Sequence, residues 1–166
     1  MDGPKFPAIS SGGCSITVKI ILTDDRGNIM VVFEKEQFKS RNGLNFFKKS
    51  GCGLSGGGIR MDRGEDVLSG AARELLEELG GIADIDHDPD HWVEVPTSLT
   101  HKVVFLRATN FRKIQKPIDP DIIGSRWVPW KAFYGQVFFE GRAYKAYTRH
   151  VDIVHEVLYQ ESLQNS

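Results

Sequence analysis

The spacing of apolar side chains changes period several times along this chain, and each change predicts an element. Residues 16–23 are largely apolar and rich in β-branched side chains, with Lys19 the one charge among them, which predicts a strand. Asp24, Asp25, Arg26, Gly27 and Asn28 supply turn chemistry, and residues 29–33 are apolar again, so the two runs predict a hairpin. Residues 38–50 are basic and aromatic, with a turn signal at Asn42-Gly43. Residues 51–58 are rich in glycine and predict a loop whose backbone turns unusually or approaches something closely. Over residues 65–79 the period becomes helical, with Leu68, Ala71, Ala72, Leu75, Leu76 and Leu79 on one stripe. Glu65 and Asp66 fall in its first turn, and Gly80-Gly81 stops it. A polar loop is expected at 84–91, strands at 92–95, 102–109 and 125–128, and a closing helix at 151–163 from the weaker period of Val151, Val154, Val157 and Leu158. Strands on both sides of one helix, with a second helix at the end, predict an α/β fold in which a mixed β-sheet is packed between helices.

Length adds that the 166 residues make a single domain, with residues 1–13 (Pro4, Pro7, Gly12, Gly13) as a loose N-terminal arm. Charge adds an exclusion. Lysine and arginine number 21 against 22 acidic residues, a formal net charge of −1, which argues against bulk polyanion binding but leaves room for a small phosphorylated ligand. Cys14 and Cys52 make neither a metal cluster nor a disulfide framework and read as reduced thiols. The apolar runs at 16–22 and 103–106 fall short of the ~20 residues of a membrane helix, and the opening residues lack the apolar core of a secretory signal. A cytoplasmic protein with no membrane partner is therefore expected.

The chemistry is expected on the other side of the 65–79 helix. Arg73, Glu74, Glu77 and Glu78 fall away from the apolar stripe, and Glu74 stands three and four residues before Glu77 and Glu78. Like charges at those spacings repel by a few tenths of a kcal/mol each, and Arg73 offsets only part of this. A hard divalent cation, Mg²⁺ or Mn²⁺, would resolve the conflict, since both prefer carboxylate oxygen. A solvated acidic face is the bland alternative. The glycine run and the helix N-terminus beside the acids tilt the balance toward an anion site next to a cation site, which suits a phosphate ester with its metal.

Residues 58–81 resemble the Nudix box: a glycine, five residues, a glutamate, seven residues, then R-E-hydrophobic-x-E-E-x-G-hydrophobic. Glu65 stands seven intervening residues before Arg73-Glu74-Leu75-Leu76-Glu77-Glu78-Leu79-Gly80. Leu54-Ser55-Gly56-Gly57 resembles the leucine-proline-glycine-glycine that often leads into the box. Two departures stand out. Six residues, not five, separate Gly58 from Glu65, and Gly81 holds the place of a hydrophobic residue, with Ile82 one position on, which reads as a local slip at the helix exit. The resemblance implies an α/β/α sandwich and metal-dependent hydrolysis of a pyrophosphate bond in a nucleoside diphosphate linked to another group, with ADP-ribose or a nucleotide sugar preferred. It implies Glu74, Glu77, Glu78 and Glu65 around Mg²⁺ or Mn²⁺, with Glu74, Glu78 and Arg73 in the catalytic machinery and Gly57 and Gly58 on the phosphate side. Glu74 could be ligand or general base. Relatives often recruit one more acid from outside the box, and Asp119 or Asp121 would serve, with Glu94 behind them. Pro96 falls near the place where ADP-ribose-cleaving members carry a proline. Alternatives stay open: an RNA 5′-end pyrophosphohydrolase, a nucleoside triphosphate clean-up enzyme, or a nucleotide sensor that keeps the fold without catalysis. Phe46, Phe47, Trp127, Tyr134 and Phe138 could stack a base, and a homodimer is open too.

Other patterns fail on inspection. Gly51, Gly53 and Gly56 match a dinucleotide fingerprint, but no βαβ unit surrounds them. Asp84, Asp86, Asp88 and Asp90 alternate like a calcium loop, but Pro89 holds the glycine position and Val95 the glutamate position. His87 and His91 have no metal-ligand partner on a defined face, and His101, which could reach the site from a strand start, is a lone histidine of the kind that is usually structural.

Overall fold

The computed structural model describes residues 14–41 and 43–165, with Arg41 described in its backbone alone. The expected arm at 1–13 lies outside the described residues. In chain order the strands are β1 (Ser15–Leu22), β2 (Asn28–Glu34), β3 (Gln37–Arg41), β4 (Leu44–Lys48), β5 (Gly51–Gly53), β6 (Ser55–Gly58), β7 (Gly81–Ile85), β8 (Val93–Ser98), β9 (His101–Lys113), β10 (Ile122–Pro129), β11 (Gln136–Phe139) and β12 (Arg142–Lys145). The helices are α1 (Val67–Leu79) and α2 (Thr148–Gln164).

The chain divides into two compact units, one taking in the described residues through Leu22 with Ser55–Ile118, the other Thr23–Leu54 with the described residues from Asp119 on. The first is built on a mixed sheet in the order β6-β1-β9-β7, with β8 also on β9. β1 runs antiparallel to β6 and parallel to β9, Ser15 opposite His101 through Leu22 opposite Ala108. Val18, Ile20 and Leu22 of β1, Val104, Phe105 and Leu106 of β9, and Ala71, Leu75 and Leu79 of α1 are among its buried apolar side chains. The second unit holds the antiparallel sheet β10-β2-β5, the hairpins β3-β4 and β11-β12, and α2. Phe33 of β2 stacks on Phe139 at 4.6 Å between ring centroids and meets Tyr144 edge-on. The β3-β4 hairpin leaves its aromatics in the open: Phe38 is 83% exposed.

Several expectations need correction. The glycine run is two strands, because glycine is what those positions can hold: a Cβ on Gly53 would lie 2.3 Å from the His150 ring, and one on Gly56 (φ +148°) 2.0 Å from the Val18 carbonyl oxygen. The expected polar loop at 84–91 begins inside β7, an edge strand whose polar residues face water, and ends in a 3-10 turn at Pro89–His91. α1 starts later than expected, at Val67, with the Asp66 carboxylate accepting the Ser69 N–H as N-cap. It ends as expected, at Gly80 in the left-handed region (φ +68°). Cys14 and Cys52 are free and buried, and burial pushes the Cys52 thiol up to about 12. Among the described residues no helix is long and apolar enough to cross a membrane.

Candidate active site

Every box residue lies in the first unit, and α1 presents them differently from its sequence pattern. Glu74 and Glu78 are buried on the same side as Ala71, Leu75 and Leu79, while Ala72, counted in the apolar stripe, is exposed. The expectation that all the acids face away from the core is therefore wrong for these two. Gly57 explains how they fit. It lies in β6 opposite Val18, and a Cβ there would sit 2.5 Å from Glu74 Oε2. The carboxylate occupies the volume that any side chain on Gly57 would need.

Hydrogen bonds hold the cluster in two halves. Ser55 Oγ and the Gly56 N–H both donate to Glu78 Oε1 at 2.8 Å. Arg73 organises the rest: Nε donates to Glu65 Oε2 (2.7 Å), Nη1 to Glu74 Oε2 (2.9 Å) and Glu77 Oε1 (3.1 Å), and Nη2 to Glu65 Oε1 (3.0 Å) and the Gly58 carbonyl (2.9 Å). Those bonds use all five guanidinium N–H groups. Arg60 adds a looser pairing to Glu77 at 3.7 Å. The Arg73 guanidinium holds the Glu65 carboxyl down at about 2, helped by the Arg60 N–H. The opposite holds deeper in. Burial raises Glu74, and it pushes Glu78 up to about 7 against the donors that favour its charged form.

Among the described residues, Glu74 Oε1 and Glu78 Oε2 receive no hydrogen bond, although their residues are 7% and 4% exposed. An ionised carboxylate oxygen without a donor in such a place is costly. Two of them one helical turn apart form a donor set of hard oxygens, which fits Mg²⁺ or Mn²⁺. Among the described residues no three His, Cys, Asp or Glu side chains already close around one point, and Arg73 stands between Glu74 and Glu77 as the local cation.

The two departures from the box pattern are absorbed locally. The residues between Gly58 and Glu65 coil into a 3-10 turn, Met61–Arg63, closed by Gly64 at φ +77°. Glu65 stitches that turn shut, its N–H donating to the Arg60 carbonyl and its Oε1 accepting the Arg60 N–H. At the helix exit there is no slip. Ile82 is 39% exposed, and a Cβ on Gly81 would lie 2.3 Å from the Phe111 ring, so Phe111 of β9 supplies the apolar contact.

Other expectations fare unevenly. Gly57 and Gly58 belong to strand β6, and the N-terminus of α1 is closed by the Asp66 carboxylate, which stands where an anion would. Asp119 and Asp121 belong to the other unit, where Asp119 Oδ1 accepts the Asp121 N–H (2.9 Å) and Asp121 lies 3.9 Å from Lys35. Glu94 is paired to Lys102 at 2.6 Å. Pro96 is exposed on β8, which pairs with β9 alone. His101 bonds the Ser15 hydroxyl (2.5 Å) and the Thr17 hydroxyl (3.2 Å). Sequence reasoning missed Ser55 as a working residue: it holds the place of a proline in the lead-in pattern, and a hydroxyl there is a donor that proline lacks.

The family profile described as NUDIX domain matches residues 15–150. The chain belongs to the Nudix family. Solved structures agree on the fold. A MutT protein from Methanosarcina mazei Go1 is 18% identical, covering 89% of this chain and 94% of that one at a TM-score of 0.55. A Nudix-family hydrolase from Clostridium perfringens is 13% identical, over 89% and 97%, at 0.61. A protein described as an ADP compounds hydrolase is 19% identical, over 91% and 74%, at 0.57. No curated protein sequence matches. This Nudix protein is a hydrolase whose family acts on pyrophosphate bonds in nucleotide-linked substrates.

Proposed function

We propose that the chain hydrolyses a pyrophosphate bond in a nucleoside diphosphate linked to another group, ADP-ribose or a nucleotide sugar, and that it depends on Mg²⁺ or Mn²⁺. The observation that carries this is the pair of buried carboxylate oxygens on Glu74 and Glu78 that have no donor among the described residues, in a cluster that keeps every acid of the box. Glu74 and Glu78 would hold the cation, with Glu77 completing the set. Bound there, the ion supplies charge neutralisation at the phosphate oxygens and activates water for attack. Arg73 positions Glu74, Glu77 and Glu65, and all its donors are spent on that task. Ser55 and the Gly56 N–H fix Glu78. Gly57 clears the space that Glu74 fills, and Gly58, where a Cβ would meet nothing within 4 Å, leaves the β6 backbone open toward the phosphate side. The structural likeness to an ADP compounds hydrolase and the placement of Pro96 favour an ADP-linked substrate.

An RNA 5′ end is the second reading. It is favoured by the β3-β4 hairpin, whose exposed Phe38, Phe46 and Phe47 lie beside Lys39, opposite Phe46 in the register, and suit a single strand. The test is release of phosphorylated products from ADP-ribose, nucleotide sugars, nucleoside triphosphates and 5′-triphosphorylated RNA, with and without Mg²⁺ or Mn²⁺. Metal-dependent cleavage of an ADP-linked member, lost in Glu78→Gln, is expected. Nucleotide binding without turnover of any member would overturn the reading in favour of a sensor.

A further inference from the structure

Lys19 is the one cation in an otherwise apolar stretch of β1, and nothing above uses it. In an antiparallel pair, directly opposed side chains share a face. Val18 lies opposite Gly57, and the Cβ direction of Gly57 points at Glu74, so Val18 faces α1 and Lys19 leaves β1 on the other side. The ammonium reaches back to β6, where Nζ donates to the Gly56 carbonyl at 3.2 Å. That same residue donates its N–H to Glu78 Oε1 at 2.8 Å, so Lys19 and Glu78 grip the two polar groups of one glycine. The ammonium charge reaches both Glu74 and Glu78 and works against the effect of their burial.

Arg73 has no N–H left for a ligand, and Arg60 leans toward Glu77 at the other end of the cluster. Lys19 is half-buried, and of its three N–H donors one is committed among the described residues. A lysine serving only to balance buried carboxylates would become redundant once a divalent cation joined them. One with two donors to spare, held on the same glycine that donates to Glu78, has a second use.

We infer that Lys19 is a phosphate-binding residue, donating to a phosphate oxygen of a substrate whose metal is held by Glu74 and Glu78. This rests on the reading of that site as a pyrophosphohydrolase. The two roles predict opposite signs. Removing the ammonium leaves the carboxylates less opposed, so a divalent cation binds at least as tightly, while a pyrophosphate loses a charge-assisted hydrogen bond.

The test compares the full chain with Lys19→Met and Lys19→Arg, and with Lys102→Met as a surface control. Mn²⁺ binding is followed by electron paramagnetic resonance, binding of inorganic pyrophosphate in saturating Mn²⁺ by calorimetry, and KM and kcat on the cleaved substrate. For Lys19→Met, pyrophosphate binding should weaken and KM rise by roughly 10- to 100-fold. Mn²⁺ affinity should hold or tighten, Lys19→Arg should recover part of the loss, and Lys102→Met should behave as the parent. Unchanged pyrophosphate affinity in Lys19→Met overturns the inference. So does a loss that tracks weaker Mn²⁺ binding and is not rescued by arginine, since Lys19 would then only support β6. Lys19-dependent pyrophosphate binding in a chain that cleaves nothing would sink the hydrolase reading and leave this one standing. A parent chain that binds neither Mn²⁺ nor pyrophosphate sinks both.

Discussion

Two acidic stretches of the first unit carry similar charge and meet opposite fates. On α1, Glu74 and Glu78 are buried, each with an oxygen that lacks a donor among the described residues, and burial raises both. At Asp84, Asp86 and Asp88 the carboxylates are served. Asp86 accepts the Asp88 N–H (3.0 Å) and the His91 ring (2.7 Å), Asp88 accepts the Asp90 N–H, and Asp84 accepts from Asn110. Asp86 is accordingly lowered, mainly by the Asp88 N–H, and His91 is raised by Asp86. Negative charge density alone therefore says little about a site. What separates the two stretches is whether the local chain supplies donors or leaves carboxylate oxygens waiting for an outside cation.

The largest expected effect tests that contrast directly. Glu78→Gln should lower kcat/KM at least ~100-fold, since even groups that merely orient metal ligands are worth 10- to 100-fold, whereas Asp86→Asn should leave turnover unchanged. Equal losses in both variants would erase the contrast. Next comes pH. Glu78 binds its proton more tightly folded than unfolded, with its carboxyl moved from 4.5 to about 7. Its contribution to metal-free stability is therefore fully present below about pH 4.5 and is lost as pH rises toward 7, by roughly 3 kcal/mol in total, whereas Glu65, held down at about 2, contributes in the opposite sense below pH 4.5. Denaturant melts across that window should show the slope, and saturating Mn²⁺ or the Glu78→Gln change should flatten it. A metal-free protein with no such slope would mean that Glu78 is not held in a donor-poor place.

A smaller effect is expected at Gly57. Gly57→Ala puts a methyl 2.5 Å from the Glu74 carboxylate and should destabilise by about 1–3 kcal/mol while weakening Mn²⁺ binding. Gly58→Ala, where a Cβ meets nothing within 4 Å, is its control. Smallest is the change at the other acidic stretch, where Asp86→Asn should keep the melting midpoint within about 2 °C of the parent.

How much of this was legible in the sequence follows the same line. α1 and its stop at Gly80 announced themselves through period and glycine, because both are local. The residue types of the acidic cluster were legible as a family pattern. Their burial was not, because a rule that sends glutamate outward cannot see Gly57 clearing space for Glu74 across a strand. β5 and β6 were hidden for a related reason. Glycine is a poor strand former by propensity, and it holds those positions because Tyr147, His150 and Glu74 occupy the neighbouring volume. The extra length of the box loop was visible as a count, but its harmless coiling into Met61–Arg63 needed the Glu65–Arg60 hydrogen bonds. The β11-β12 hairpin left a readable trace that went unused: Glu140-Gly141, both at positive φ, between two alternating runs.

The parallel pairing of β1 with β9 has a consequence for how the molecule comes into being. Ser15 and its neighbour His101 are 86 residues apart. β6 and α1 leave the ribosome well before β9 does, so β1 can pair early with β6 but must wait for its other flank. Such a long loop closes slowly compared with the short β3-β4 hairpin. Until it closes, an acidic helix with two glutamates among its leucines has only half a sheet to bury them against. Competence to hold a cation should thus appear among the last events of folding, and the ion would act as a lock on the finished domain rather than a seed for its assembly.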